Sequence, residues 1–186
     1  VRALGRIVDN GHLQKGLKPV HWCMDCGSAL AEAEVEYYDK VSHAIDVAFS
    51  VVDIAAFNQA TGASAESASF VIWTTTPWTL PANHGVSLHP ELDYVLLSGE
   101  KEGKSVNVVL ASALKDSAVE RFALENVKDL ATFKGQAVEN LLLQHPFYER
   151  QVPVILGEHV TTEAGTGAVH TAPGHGADDF VVGQKY

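Results

Sequence analysis

Segments in which apolar and polar residues alternate one by one constrain the fold of this chain most. Residues 45–51 place an apolar side chain at every second position, and residues 31–37 alternate Ala, Val and Tyr with three Glu. A period of two puts neighbouring side chains on opposite faces, so both segments are predicted to be half-buried strands. Further strand candidates are residues 70–75, 94–97, 106–110, 152–156 and 166–171, with a hairpin joining the second of these to the third.

Helical periodicity is confined to a few segments. Residues 2–9 and 111–124 each place their apolar side chains on one helical face, and residues 178–186 begin a helix that the chain end cuts short. The small, polar segment 61–69 is predicted to be a flexible surface loop. Many short strands with few helices predict an α+β fold, with a curled or barrel-like, mostly antiparallel sheet and a few flanking helices.

Composition and charge narrow the possible functions. With 186 residues and 46% apolar side chains, the chain is predicted to be a soluble globular protein. It has no run of roughly 18 apolar residues, so we expect no membrane partner. A net charge of −10 argues against non-specific phosphate binding but allows a nucleic-acid substrate gripped at one end. The chain begins with Val1, and its only methionine is Met24. We therefore expect it to be an excised piece of a longer protein.

Two cysteines stand at a metal-type spacing, Cys23-x-x-Cys26. The pair indicates a reducing, cytoplasmic setting and either metal or redox chemistry rather than a disulfide scaffold. It supplies half of the four ligands that structural zinc requires, and His12 and His21 could complete the set. The redox alternative lacks the βαβ pattern that usually surrounds such a motif.

A first candidate site is the segment 73–83, which reads Trp-Thr-Thr-Thr-Pro-Trp-Thr-Leu-Pro-Ala-Asn. Consecutive threonine hydroxyls leaving a strand can donate and accept hydrogen bonds on both faces. Two prolines stiffen the loop, and two tryptophans supply flat apolar walls. The alternative is a strand end followed by a proline-rich turn with core tryptophans.

A second candidate site spans residues 165–180. Glycines at positions 165, 167, 174 and 176 would let the backbone approach a ligand closely. His170 would end a strand, and Asp178 and Asp179 would begin a helix. The alternatives are a histidine satisfied in a turn and carboxylates that only cap the helix. The spacing matches neither a dinucleotide-binding nor a P-loop fingerprint.

Both segments resemble the two signature stretches in the editing insertion (CP1) of bacterial class I isoleucyl-tRNA synthetases. Residues 21–37 also resemble the bacterial members, and the likeness covers the whole chain, weakest over 53–69 and 98–140. The related valyl and leucyl enzymes typically have Thr-Thr-Arg-Pro where residues 74–77 read Thr-Thr-Thr-Pro. They have Lys or Met where this chain has His170.

The resemblance implies post-transfer editing, in which the ester of valyl-tRNA(Ile) is hydrolysed while isoleucine is excluded by pocket size. A missing methylene is worth only about 1–3 kcal/mol of binding energy, a figure established on this very family and not calculated for this chain. Asp179 would pair with the α-ammonium of the amino acid, and His170 would act as a steric wall. The implied catalytic residues are Thr74, Thr75, Thr76 and Asp179, and the implied substrate-binding residues are Trp73, Trp78, Asn83, His170 and Gly167.

The resemblance also predicts the domain organisation. Residues 1–40 would be a connective segment with half of a zinc knuckle, at Cys23 and Cys26, and residues 41–186 an editing domain truncated at its C-terminal end. No cofactor is expected in this fragment; zinc is expected in the parent enzyme, with its other ligands beyond this chain. The ATP-dependent signatures His-x-Gly-His and Lys-Met-Ser-Lys-Ser are absent, so this piece alone is not expected to charge tRNA. The alternatives are a non-catalytic module that binds the tRNA acceptor end and a purely structural β-rich domain.

Overall fold

A computed structural model describes residues 1–186, which form two compact units, Val1–Tyr37 and Tyr38–Tyr186. The first unit contains helix α1 (Arg2–Asp9) and an antiparallel hairpin of β1 (His21–Cys23) and β2 (Ser28–Leu30). Helix α1 confirms the predicted helix over residues 2–9. No side chain in this unit is buried, so it has no hydrophobic core of its own. Its assignment as a connective segment stays a prediction.

The predicted strand over residues 31–37 is wrong. Glu32–Glu34 form a short 3₁₀ helix, and the Ala31 N–H donates to the Glu34 carboxylate over 2.7 Å. Such local side-chain bonds compete with extended backbone. No strand pairs with this segment and no residue in it is buried. Its alternating apolar side chains therefore have no core to pack against.

The second unit is a nine-stranded sheet with three α-helices. Its strands are β3 (Ile45–Val51), β4 (Ser69–Thr74), β5 (Gly85–Leu88), β6 (Asp93–Lys101), β7 (Lys104–Ala111), β8 (Glu125–Lys134), β9 (Leu142–Gln144), β10 (Gln151–Leu156) and β11 (Ala168–Thr171). Its helices are α2 (Ile54–Thr61), α3 (Lys115–Phe122) and α4 (Ala177–Lys185). The order across the sheet is β11-β5-β10-β9-β3-β4-β7-β6-β8.

The sheet confirms the α+β class and is mixed, curled and open. The pairs β5–β10 and β4–β7 are parallel, and the other neighbours are antiparallel. The edge strand β11 packs against β4, four strands beyond its only paired neighbour, so the sheet folds back on itself. The two edges β11 and β8 do not pair, and the barrel is therefore not closed. The predicted hairpin is confirmed as β6–β7.

The central strands are buried on both faces. In β6, Tyr94 and Leu96 join the larger core cluster, whereas Val95 and Leu97 join a second cluster with Phe122 of α3. This two-sided burial explains why residues 94–97 are apolar without interruption. The larger cluster lies on the inner side of the curled sheet, where β4 and β5 bring their buried residues together.

The segment 61–69 is only partly the predicted surface loop, because four of its residues are exposed and three are buried. Ala63, Ala65 and Ala68 are buried in the main core. The side chain of Asn58 bonds both the N–H and the carbonyl of Ala65, at 3.1 and 2.9 Å. The small residues of the segment 61–69 allow close packing. From composition alone, a closely packed segment of small residues cannot be told from a flexible one. None of the helices is both long enough and apolar enough to cross a bilayer.

Candidate active site

The two motif segments meet at one cavity of about 420 Å³ in the second unit. The first segment supplies the end of β4 and a 3₁₀ helix, Pro77–Ala82, and the second supplies β11 and the start of α4. The lining residues are Trp73, Thr74, Thr76, Trp78, Thr79, Val169, His170, His175 and Asp179. The structure thus brings together six of the predicted site residues, which lie up to 106 positions apart in the chain (179 minus 73).

The three threonines separate by face. Thr74 is buried, and its hydroxyl accepts a hydrogen bond from the Thr76 N–H over 3.0 Å and lies 3.2 Å from the Thr76 hydroxyl. Thr75 is exposed and is not among the lining residues, and its carbonyl accepts from the Ser42 hydroxyl over 2.8 Å. The extended backbone at the end of β4 therefore turns Thr74 and Thr76 to the cavity and Thr75 away from it.

His170 has both ring nitrogens engaged. Its Nδ1 lies 3.0 Å from the Asn83 amino group, which also donates to the Gly85 carbonyl over 2.8 Å. An amino group cannot accept, so Nδ1 accepts and the ring proton of the neutral imidazole lies on Nε2. That Nε2 lies 2.7 Å from the Thr79 hydroxyl, which itself donates to the Thr76 carbonyl.

The electrostatic surroundings keep this ring neutral. Burial lowers the pKa of His170 below its ordinary value of 6.5, and the nearby Asp179 carboxylate only partly opposes that effect. The side chain is 8% exposed, so a charged ring would lose most of its hydration. A neutral ring with both nitrogens bonded has no free position from which to accept a proton, and it forms a fixed wall.

Asn83 lies behind the wall rather than in the cavity. It is fully buried, does not line the cavity and touches His170 from the side away from Thr79. Its carbonyl oxygen Oδ1 is buried without a hydrogen-bond partner. The side-chain amide therefore donates its two N–H groups to the Gly85 carbonyl and to His170. Asn83 thus contacts the site only through the histidine.

Asp179 connects α4 to the end of β11. Its Oδ2 accepts the Ala172 N–H over 2.9 Å, and no side chain caps the helix at Gly176. Asp179 therefore ties α4 to a different segment and is not a cap of its own helix. One carboxylate oxygen is engaged in this bond, and the other has no protein partner, which leaves a negative charge at the cavity.

Of the remaining predicted residues, the two tryptophans line the cavity and Gly167 does not. Trp73 is half-buried and Trp78 is 65% exposed, so the two rings cover an inner wall and an outer rim. The φ of +72° at Gly167 and the 2.3 Å between an added Cβ and the Cβ of Ala111 make glycine necessary there. The Gly167 carbonyl accepts from the Tyr94 hydroxyl over 2.7 Å.

Three lining residues were missed from the sequence: Thr79, Val169 and His175. Thr79 follows Thr76 by three positions, and side chains three apart share a face of a 3₁₀ helix. That spacing could have identified Thr79 had the segment been predicted as helical rather than as a loop. Val169 and His175 carry no comparable signal.

The cysteine pair lies in the first unit, on the turn between β1 and β2. The Cys26 N–H lies 3.2 Å from the Cys23 sulfur, and hydrogen bonds from the Cys26 backbone and side chain lower the pKa of Cys23. Both cysteines are free thiols, and the hydrogen bond between their side chains raises the pKa of Cys26. Two sulfurs on one turn fit half of a tetrahedral zinc site. No group of three or more His, Cys, Asp or Glu is arranged to hold a metal ion.

Comparison with known proteins identifies the relatives of this chain. A family model of class I tRNA synthetases (I, L, M and V) matches residues 1–156. The isoleucine–tRNA ligase of Alcanivorax borkumensis is 66% identical over 186 residues, which are 100% of this chain and 20% of that protein. That of Shewanella sediminis is 61% identical over 192 residues, again covering 100% of this chain and 20% of that protein. The chain thus spans about one fifth of the length of the relatives it matches.

Solved structures show the same fold at low identity. The editing domain of the Plasmodium falciparum cytosolic leucyl-tRNA synthetase matches with a TM-score of 0.64 and 11% identity, over 74% of this chain and 63% of that one. Its P. knowlesi counterpart matches with 0.64 and 12%, over 74% and 59%. The family match over residues 1–156 shows that the chain belongs to the class I tRNA synthetases (I, L, M and V).

Proposed function

We propose that the cavity is a post-transfer editing site, which hydrolyses the ester of valyl-tRNA(Ile) and rejects isoleucyl-tRNA. The observation that carries this proposal is the meeting of His170, three threonine hydroxyls and Asp179 around one space of about 420 Å³. The isoleucine–tRNA ligases among the relatives and the editing-domain fold support it. The isoleucine-charging activity itself would belong to the rest of a longer cytoplasmic parent enzyme.

Size exclusion would depend on the rigidity of His170. A wall that could rotate would give way to one extra methylene, since the difference between valine and isoleucine is worth only about 1–3 kcal/mol. Hydrogen bonds on both sides of the ring, from Asn83 and to Thr79, oppose rotation. The free carboxylate oxygen of Asp179 would bind the α-ammonium group and thereby set how far the side chain reaches toward the wall.

The threonine hydroxyls would position the water and the terminal ribose. Thr74, Thr76 and Thr79 line the cavity and can both donate and accept hydrogen bonds. His170 cannot serve as a general base while both nitrogens are bonded, and an aminoacyl ester is already activated. Positioning would therefore supply most of the acceleration: water adds to the ester carbonyl, the acyl C–O bond breaks, and the neighbouring ribose hydroxyl relays the water's proton to the departing ribose oxygen.

The test is release of amino acid from purified valyl-tRNA and isoleucyl-tRNA by this chain. We expect valine to be released and isoleucine to be retained. A chain that binds the tRNA acceptor end without releasing valine would instead be a non-catalytic binding module. As an independent measurement, a non-hydrolysable valyl-adenosine analogue should raise the melting temperature while the isoleucyl analogue should not. Absence of both effects would indicate a structural domain.

We further propose that Cys23 and Cys26 supply two zinc ligands in the parent enzyme, with the other two outside this chain. The paired sulfurs on the β1–β2 turn support this assignment. The purified chain should then bind zinc weakly. Metal analysis that finds about one tightly held zinc per chain would contradict the proposal, because His12 and His21 would then have to complete the site.

A further inference from the structure

The loop between β9 and β10, residues 145–150, contacts the 3₁₀ helix that carries Thr79. The Nε2 of His145 lies 3.1 Å from the Leu80 carbonyl, and the Arg150 guanidinium donates to the Pro81 carbonyl over 3.0 Å. None of the residues in this loop lines the cavity. The loop therefore bonds to two consecutive carbonyls directly after Thr79.

His145 is held in one orientation. The Phe147 and Tyr148 N–H groups point at its Nδ1 from 3.4 and 3.2 Å, so Nδ1 accepts and the ring proton lies on Nε2, facing Leu80. The ring is 2% exposed, meets Phe49 edge-on at 6.0 Å between centroids and stacks on Tyr148 at 5.0 Å. Both ring nitrogens of His145 are therefore hydrogen-bonded, as is usual for buried polar groups.

The 3₁₀ helix needs outside support. Helices of this kind have poor internal hydrogen-bond geometry, and Pro81 within it has no N–H to contribute. Its internal bonds include the Thr79 and Asn83 N–H groups donating to the Thr76 and Leu80 carbonyls at 3.0 Å each. Donors from the loop fix the two carbonyls next to Thr79, whose hydroxyl must stay within 2.7 Å of His170.

We propose that His145 and Arg150 are positioning residues for the editing site: they hold the 3₁₀ helix so that the Thr79 hydroxyl locks the His170 wall. This inference rests on the proposed function. It assigns a role in selectivity to a loop outside the cavity, through the chain of contacts from His145 to Leu80, Thr79 and His170.

The test compares three variants of this chain in the hydrolysis of valyl-tRNA and isoleucyl-tRNA. His145→Leu removes the donor to Leu80, His145→Gln retains a side-chain N–H, and Glu149→Gln changes an exposed residue of the same loop as a control. For His145→Leu we expect a roughly tenfold fall in kcat and in the valine-to-isoleucine ratio, since small misplacements at a site are costly. His145→Gln should recover part of both, and Glu149→Gln should match the wild type.

A double-mutant cycle with Thr79→Val separates positioning from a general loss of stability. If His145 acts through Thr79, His145→Leu should not change the selectivity ratio further in the Thr79→Val background. Independent, multiplying effects, or a wild-type ratio in His145→Leu, would overturn the inference. If the wild-type chain releases no valine, the proposed function fails. The inference is then tested by NMR, which measures the exchange rate of the His170 ring proton in the wild type and in His145→Leu. Unchanged exchange in His145→Leu would overturn it.

Discussion

The amino group of Asn83 lies 3.0 Å from Nδ1 of His170, while the opposite ring nitrogen lies 2.7 Å from the Thr79 hydroxyl. This arrangement joins residues from the two motif segments into one hydrogen-bonded unit. It allows a single tautomer of the neutral imidazole, because the amide can only donate at that position. Asn83, which does not line the cavity, therefore sets the tautomer of the histidine that forms its wall.

Replacing Asn83 with Asp should reverse this arrangement. An aspartate would accept rather than donate, so His170 would carry a proton on Nδ1 and its pKa would rise beside the carboxylate. We expect slower release of valine and a higher His170 pKa in an NMR titration. A His170 pKa at or below the wild-type value would show that Asn83 does not set the tautomer.

Shortening the wall should relax selectivity. In His170→Ala the cavity gains the volume of the ring, and isoleucyl-tRNA should become a substrate. We expect the valine-to-isoleucine ratio of kcat/KM to fall by about tenfold or more, the order of magnitude that one methylene supports. His12→Ala, which changes an exposed histidine of the first unit, is the matched control. Continued rejection of isoleucine by His170→Ala would place the discriminating wall elsewhere.

Substitution can separate the hydrogen bond that Asp179 accepts from Ala172 from the ammonium binding that we propose for its charge. Asp179→Asn can still accept from the Ala172 N–H but loses the negative charge, so melting temperature should stay near the wild-type value while hydrolysis falls. Asp179→Ala should lower both. Asp178→Asn, an exposed neighbour outside the cavity lining, is the control. Equal hydrolysis by Asp179→Asn and the wild type would rule out the ammonium-binding role.

Gly167→Ala should destabilise the fold. The added Cβ would meet the Cβ of Ala111 at 2.3 Å on a backbone with φ of +72°. We expect a loss of about 1–3 kcal/mol in the free energy of unfolding, measured in urea. Gly174→Ala is the control, since an added Cβ there meets nothing within 4 Å and the φ is not positive. Similar stability of both variants would contradict the packing described here.

Stability should fall on mild acidification. Burial lowers the pKa of both His145 and His170 below 6.5 in the folded chain. As pH falls below about 6.5, the unfolded chain takes up protons that the folded chain does not, so folding free energy is lost until the folded pKa values are passed. Urea midpoints should therefore decrease from pH 7.5 to pH 5.5, and less steeply in His170→Phe. A pH-independent midpoint would contradict neutral, buried rings.

The sequence alone determined several of the local elements whose side chains face a core. The period of two in residues 45–51 became β3, and the apolar run 94–97 became part of β6. It also indicated the two segments that form the site, because hydroxyls, glycines and carboxylates were concentrated there. At residues 31–37 the same alternation led to a wrong strand prediction, because no core packs against this segment. Alternation predicts a strand only when one face of the segment is buried.

The tertiary structure alone decided which of these residues act together. Folding the sheet back places β11 against β4, and only that contact brings His170 to Thr79. Strands β5, β8 and β9 and the burial of three alanines in the segment 61–69 were likewise not predictable, because their pairing and packing depend on residues distant in the chain. Hydrogen-bond direction and burial are properties of such contacts, so the tautomer of His170 and the support from His145 arise only in the folded chain.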